Sequence, residues 1–274
     1  MFKKSDIAFY SFLITVMLYF YYYYFLISDL PVWIRDLKAC GSVMNLDSFI
    51  KGHINIFVYL TLFSVMTFFI LRTSFILISN VKNYISLIKF IKSNTYKKYK
   101  NLFILNSDEN FAFTFGILKN RIVLSKAIFK NFTKKEIKNI YMHEKGHLIS
   151  GDSHKLFIFS TLANLFPDRL KNKIIKDFSI LKEIEADDYC SKNTDKIELA
   201  KTLLKFYTVT SKISLPMMNN HAEVRIKFLT DQLNYKQIKT ENIYFTFFVL
   251  LGIFLFLTYI FQYCLCGMSS LMSF

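Results

Sequence analysis

TKKEIKNIYMHEKGHLISGD, residues 133–152, sets Thr133 three places ahead of Glu136 and His143 four places ahead of His147. Thr133 and Glu136 have the spacing of a capping box, in which each side chain satisfies a backbone amide of the other at the start of a helix. A helix is therefore expected from near Lys134. Ile137, Ile140, Tyr141, Glu144 and Leu148 continue it at helical spacing, and Gly151-Asp152 ends the run. Positions four apart lie one above the other on such a helix, so His143 and His147 can offer two imidazole nitrogens to one metal ion about 2.0 to 2.1 Å away. Glu144 follows the first of them, where a carboxylate can take a proton from water without occupying the metal.

Around this stretch the composition is that of a membrane protein with a water-exposed part. Of 274 residues 53% are hydrophobic and 20% charged, beyond the usual apolar share of a soluble domain. Three segments are long enough to span a bilayer: Ile7 to Ile27, Ile54 to Leu71 with an apolar continuation past Arg72 to Ile78, and Ile243 to Cys264. The first is too long for a signal-peptide core and lacks a small-residue cleavage site, which makes it an uncleaved anchor. Tyr19 and Tyr21 to Tyr24 fall at its outer end, where amphipathic rings favour the interface.

Charge sets the orientation. Lys3 and Lys4 precede the first span, and Lys82, Lys89, Lys92, Lys97, Lys98 and Lys100 follow the second with no acidic residue from Asn80 to Ser107. Both flanks are expected to be cytoplasmic by the positive-inside rule. The net charge of +15 is then explained by anionic lipid head groups rather than by nucleic acid, and no nucleic-acid partner is expected. The implied organisation is residues 1–79 as two transmembrane helices with an outer loop, 80–241 as a cytoplasmic catalytic domain, and 242–274 as a third transmembrane helix with a short tail. Cys40, Cys264 and Cys266 share the outer side, where Cys40 could pair with either of the others or all three stay free; Cys190 lies inside.

Within 80–241, Leu102 to Leu105, Phe111 to Phe115 and Arg121 to Leu124 are short β-prone runs between turns, predicting a small sheet. A second amphipathic helix is predicted from about Leu170 to Ser191, with Ile174, Ile175, Phe178 and Leu181 as its apolar stripe and Glu183 and Asp187 on one face. Leu156 to Phe166 is apolar but too short to span, so it reads as a buried or interfacial helix, and a last helix is expected from about Ala222 to Leu233.

A catalytic zinc takes three protein ligands and leaves one position open. Two residues compete for the third place. His154 would give a pattern like HExxHxxGxxH, but glycine and histidine each arrive one residue late for that turn. Glu183 stands on a separate helix, from which a carboxylate can complete a His₂Glu set, with Asp187 one turn on to accept the second N–H of a ligand histidine. Glu185, Asp188 and Glu198 read as solvated charge on helix faces.

Taken together, HExxH at His143 to His147, Gly151-Asp152, and Glu183-Ile184-Glu185-Ala186-Asp187 resemble the membrane-embedded gluzincin metallopeptidases, both the HtpX and CAAX-prenyl-protease group and the BlaR/MecR group. The likeness runs from about Asn110 to Leu229, including Phe111 to Gly116 and Arg121 to Ser125 as a strand pair and His221 to Ile226 as a later segment. It implies an α+β, mostly helical membrane protein: three transmembrane helices and a zincin-like catalytic domain with a small β-sheet. It implies a zinc-dependent endopeptidase holding one Zn²⁺ per chain on His143, His147 and Glu183, with Glu144 as base and Asp187 behind the ligands. Phe111, Ala112 and Phe113 would be the edge on which a substrate peptide adds as a strand, and His221 and Arg225 would stabilise the oxyanion. Where the HtpX group usually has His-Pro, this chain has His221-Ala222. Protein or peptide substrates, membrane proteins foremost, are the expected partners beside the bilayer, and the inner membrane is the expected location. The competing expectation is a non-hydrolytic membrane regulator that keeps the peptidase fold.

Overall fold

The structure is a computed structural model and describes residues 4–40, 54–117, 120–210 and 222–233. The third apolar segment, its cysteines and His221 lie outside the described residues. Two long helices, α1 (Lys4–Cys40) and α2 (Ile54–Asn94), are the ones apolar enough to cross a membrane among those residues. Both overrun the segments read from hydropathy. At about 1.5 Å per residue each is far longer than the roughly 30 Å of bilayer hydrocarbon.

The first half of α1, within the segment read as a span, packs against the rest of the chain. Ala8, Phe9, Phe12 and Val16 are buried with Phe159, Phe166, Phe178, Leu181 and Ile184. Only beyond Tyr19 does α1 turn to α2: the Tyr19 hydroxyl donates to the Met66 carbonyl at 3.2 Å, and Tyr23 stacks on Phe63 with ring centroids 5.6 Å apart. The tyrosine run therefore divides. Tyr19, Tyr22 and Tyr23 join the helix pair while Tyr21 and Tyr24 point outward, because successive residues of a helix face different directions.

Four strands form a mixed sheet in the order β1-β2-β4-β3, from β1 (Thr95–Tyr99), β2 (Leu102–Leu105), β3 (Ala112–Phe115) and β4 (Arg121–Ser125). β2 and β4 run parallel, and the two outer pairs antiparallel. One face, through Phe103, Leu105, Phe115 and Val123, covers Leu87, Ile88 and Ile91 at the C-terminal end of α2. The other, through Ala112, Ile122 and Leu124, covers Ile137, Ile140 and Tyr141.

Six shorter helices complete the described fold: α3 (Lys126–Asn131), α4 (Lys134–Ser150), α5 (Asp152–Leu162), α6 (Asp168–Ser191), α7 (Lys196–Thr210) and α8 (Ala222–Leu229). The capping box is present on α4, with the Thr133 amide donating to Glu136 Oε2 at 2.7 Å and the Glu136 amide to Thr133 Oγ1 at 3.4 Å. Gly151, at φ 66°, ends α4 in the left-handed conformation that glycine adopts without steric cost and turns the chain straight into α5.

Phe159 and Phe178 are fully buried and stacked 4.2 Å apart, with Phe12 of α1 another 4.2 Å from Phe159. Replacing a buried phenylalanine by alanine costs about 3 to 5 kcal/mol through lost contact and the cavity left behind. Phe178→Ala is expected to lower the thermal midpoint of the detergent-solubilised protein strongly, and Phe68→Ala, on the exposed face of α2, to leave it nearly unchanged. Equal effects of the two would contradict this placement of the core.

Candidate metal centre

Two helices approach unusually closely at Gly146. A Cβ on that residue would stand 3.0 Å from the Cα of Ala186 and 3.2 Å from its carbonyl oxygen, so only glycine allows α4 and α6 this spacing. The contact matters because each helix carries its functional pair at a four-residue interval, and the two pairs meet in opposite order. His143 Nδ1 lies 2.9 Å from Asp187 Oδ1, and His147 Nε2 lies 3.7 Å from Glu183 Oε1.

Both imidazoles are held from behind. Asp187 takes Nδ1–H of His143, and Asp152 Oδ2 takes Nδ1–H of His147 at 2.8 Å. In its neutral form each ring then carries its lone pair on Nε2, and the two Nε2 atoms stand 3.1 Å apart. Glu183 closes the triangle, its Oε2 lying 3.5 Å from His143 Nε2. Tetrahedral bonds of about 2.0 to 2.1 Å imply donor-to-donor edges of roughly 3.3 Å. The three donors thus converge at the separation a single cation would require, and among the described residues His143, His147 and Glu183 form the cluster able to hold one. The donor set fits a divalent metal.

Electrostatics point the same way. Burial and the Arg225 guanidinium push His143 down, yet the Asp187 and Glu183 carboxylates prevail and lift it to about 9. Burial likewise opposes the charge on His147, and its hydrogen bond to Asp152, with the nearby Glu183 charge, outweighs burial and raises that group too. Burial alone would raise Glu183, but Arg225, His143 and His147 hold it well below the usual carboxylate range. This much negative charge facing two lone pairs is satisfied by protons or by a metal ion, and binding the second releases the first.

Arg225 comes from α8 and is almost wholly enclosed. Its Nε and Nη2 grip both oxygens of Asp187 at 2.8 Å, while Nη1 lies 2.8 Å from Glu183 Oε2 and 2.9 Å from the hydroxyl of Tyr207 on α7. The guanidinium therefore braces the two carboxylates of α6 rather than pointing into open space. Glu144 is buried beside β3, where the Thr114 hydroxyl lies 2.9 Å from both its carboxylate Oε2 and its backbone oxygen.

β3 is the free edge of the sheet nearest this helix. The Ser125 amide donates to the Phe111 carbonyl at 3.0 Å, and the antiparallel register then turns the backbones of Phe111, Phe113 and Phe115 to β4 and those of Ala112 and Thr114 to the open side. The Thr114 carbonyl is already taken by the Ser153 hydroxyl at 2.9 Å.

His154, the weaker of the two candidates for the third place, stays outside the donor cluster, its ring folded back over Gly151. One reading from sequence needs correction. Glu185 is not solvated: it is buried and accepts the amide and hydroxyl of Ser5 at 3.1 and 2.6 Å. Asp152 and Thr114 were missed as contributors. Asp152 stood in the sequence only as part of a helix stop, although a carboxylate five residues beyond the second histidine of HExxH was a signal available to be read.

Residues 44–166 match the family model described as BlaR1 peptidase M56, which takes in α2, the sheet and the His143 to His147 helix but ends before Glu183. No curated protein matches. Among solved structures, Ste24p of S. mikatae is similar at 16% identity with a TM-score of 0.33, over 73% of this chain and 61% of that one. The chain thus spans about three fifths of the length of that structure. The family match supports the resemblance to the membrane gluzincin peptidases.

Gly146→Ala tests the helix contact that makes the centre. Alanine would favour the helix by about 1 kcal/mol over glycine, against an overpacking cost of about 1 to 3 kcal/mol where its methyl meets Ala186. The expected result is at least a tenfold loss of metal affinity in a chelator competition. Unchanged affinity with a raised melting temperature would show that the close approach is not needed.

Proposed function

We propose that this chain is a membrane-anchored zinc endopeptidase whose active centre lies at the cytoplasmic face of the inner membrane. The observation that carries the reading is the pair of Nε2 atoms 3.1 Å apart, each ring fixed by a carboxylate behind it, with Glu183 completing the triangle. Histidine, histidine and glutamate are the ligand set of zinc peptidases, and the family match covers the helix that bears the histidines.

When bound, zinc supplies Lewis acidity that lowers the pKa of water and polarises a carbonyl. The chain's own residues do the rest. Glu144 accepts a proton from the attacking water and returns it to the leaving amine, with Thr114 Oγ1 holding its carboxylate against the helix. Asp187 and Asp152 keep His143 and His147 in the tautomer that aims Nε2 at the metal, and Arg225 keeps Asp187 and Glu183 in place. Stabilising the oxyanion falls in this reading to His221, which lies outside the described residues; Arg225, expected from the sequence to share that role, is instead engaged by Asp187 and Glu183.

A substrate peptide would lie along β3 as an added strand. Ala112 offers both its amide and its carbonyl and Thr114 its amide, so affinity comes from backbone bonds with little demand on side chains. Phe111 and Phe113 shape that strand from its far face, packed against the C-terminal end of α2. The proposed organisation remains membrane helices in 1–79 and 242–274 around a catalytic domain in 80–241, and it favours tails and loops of membrane proteins as substrates.

Glu144→Gln is expected to abolish cleavage while keeping about one zinc per chain, whereas Glu183→Ala loses zinc and His154→Ala does not. Comparing peptides released from membranes bearing the native chain and Glu144→Gln would reveal the substrates. A zinc-loaded native protein with no cleavage difference from Glu144→Gln would sink the hydrolytic reading.

Topology needs a reporter other than Cys190, which is fully buried, its thiol pushed up to about 11 by desolvation. A cysteine placed at exposed Asp108 by Asp108→Cys is expected to resist an impermeant thiol reagent in intact cells and to react once the membrane is opened. Labelling in intact cells would reverse the orientation.

A further inference from the structure

Behind His147 lies a second cluster of charge that shares only Asp152 with the proposed chemistry. Lys182 is only 1% exposed, and its ammonium sits 5.5 Å from the centre of the Phe178 ring. Three carboxylates surround it: Asp152 Oδ1 at 2.9 Å, Glu185 Oε2 at 3.7 Å and Asp6 Oδ1 at 3.8 Å. The approach to Asp152 is an ion pair by distance, too bent for a regular hydrogen bond.

The other two carboxylates have closer donors of their own. Glu185 takes the amide of Ser5 at 3.1 Å and its hydroxyl at 2.6 Å, and Asp6 takes Lys155 Nζ at 2.6 Å. Those contacts tie up the acids that would compete for Lys182 and leave its charge to Asp152. Asp152 in turn uses Oδ1 for Lys182 and Oδ2 for His147 Nδ1, so its carboxylate is held at both ends. Without the lysine one oxygen of a buried carboxylate would lose its countercharge, and the group would gain a reason to rotate away from the imidazole.

We infer that Lys182 is a positioning residue for the metal ligand His147, acting through Asp152, and that Ser5 and Asp6 at the start of α1 direct it to that task. The inference rests on the zinc-centre reading above. It makes the first turn of the membrane anchor part of the metal site: the path runs from Ser5 through Glu185 and Lys182 to Asp152 and His147.

The test is a double-mutant cycle on the full chain in detergent, read as Zn²⁺ affinity by chelator competition. Asp152→Asn should weaken zinc by about 10 to 100-fold, the usual effect of removing a carboxylate behind a ligand histidine. Lys182→Met should weaken it by roughly tenfold, toward the low end of that range. The double variant should bind no worse than Asp152→Asn alone, because the lysine acts only through that carboxylate. Lys182→Arg should restore most of the loss, which a purely structural role would not predict, since the larger guanidinium disturbs packing at a site this enclosed. Ser5→Ala, a milder change that leaves Lys182 in place, should weaken zinc by a few fold as Glu185 turns to Lys182.

Zinc affinity unchanged in Lys182→Met, or losses from Lys182→Met and Asp152→Asn that add in full, would overturn the inference, and unchanged affinity in Ser5→Ala would remove α1 from the path. Should Lys182→Met fail to fold, Lys182→Arg and Ser5→Ala still decide it. A wild-type chain that binds no zinc, or binds it equally with His143→Ala, would instead overturn the zinc reading and this inference together.

Discussion

The close passage of α4 over α6 at Gly146 and Ala186 governs the rest of the centre. A side chain at Gly146 would part the helices by a few tenths of an ångström or more, and the contacts of His143 and His147 with Glu183 and Asp187 cross that gap. His143 reaches Asp187 and Glu183, and His147 reaches Glu183, only because two four-residue intervals run past each other in opposite directions at this spacing. Removing ions from water costs several kcal/mol each unless partners are placed well. Here Asp187 and Asp152 are buried, and Glu183 partly so, against Arg225, Lys182 and two imidazoles. The arrangement is stable only if the backbone already holds the pairs in register, which is what the missing Cβ permits.

A second constraint comes from the membrane side. α1 does not simply tether a separate domain: Ala8, Phe9, Phe12 and Val16 fill the core under α5 and α6, and Ser5 and Asp6 enter the charged cluster behind His147. α2 does the same for the sheet, supplying Leu87, Ile88 and Ile91 to its outer face. Arg72 pairs with Asp168 at the start of α6, and Asn80 Nδ2 donates to Thr161 Oγ1 at 3.0 Å. Anchor and catalytic portion share one packing problem, so their stability is shared as well.

How much of this could be read in the chain depended on the range of each interaction. The capping box, the His143 and His147 pair and the Glu183 and Asp187 pair are written within four residues, and sequence periodicity reports such spacing directly. The three apolar strand runs were equally plain. β1 was not, because Tyr96, Lys97, Lys98 and Tyr99 give it an exposed edge whose lysines read as membrane-facing charge, although charged side chains are a common protection for an edge strand. α7 carries a usable stripe at Leu199, Ala200, Leu203 and Phe206 that went unread beside the stronger motifs. Thr114 meets Glu144 thirty residues on, and Ser5 meets Glu185 across 180, so nothing local marks them. A buried glutamate and a solvated one look alike in a helix until the partner is known.

The two kinds of cation in the centre have different duties, and the difference follows from geometry. Arg225 brings a planar fork that can grip both oxygens of Asp187 and still reach Glu183 and Tyr207, so one residue from α8 orders two acids of α6 at once. Lys182 brings a point charge on a flexible stem, which can balance Asp152 without dictating an angle, and its direction is set by what the neighbouring acids are already bonded to. Arg225 therefore fixes the His143 side by its own shape, while the His147 side is fixed by a chain of competition that begins at the N-terminal turn of α1. A displacement of that turn would be felt at His147 before it was felt at His143, which makes the two histidines, alike in the motif, unlike in what controls them.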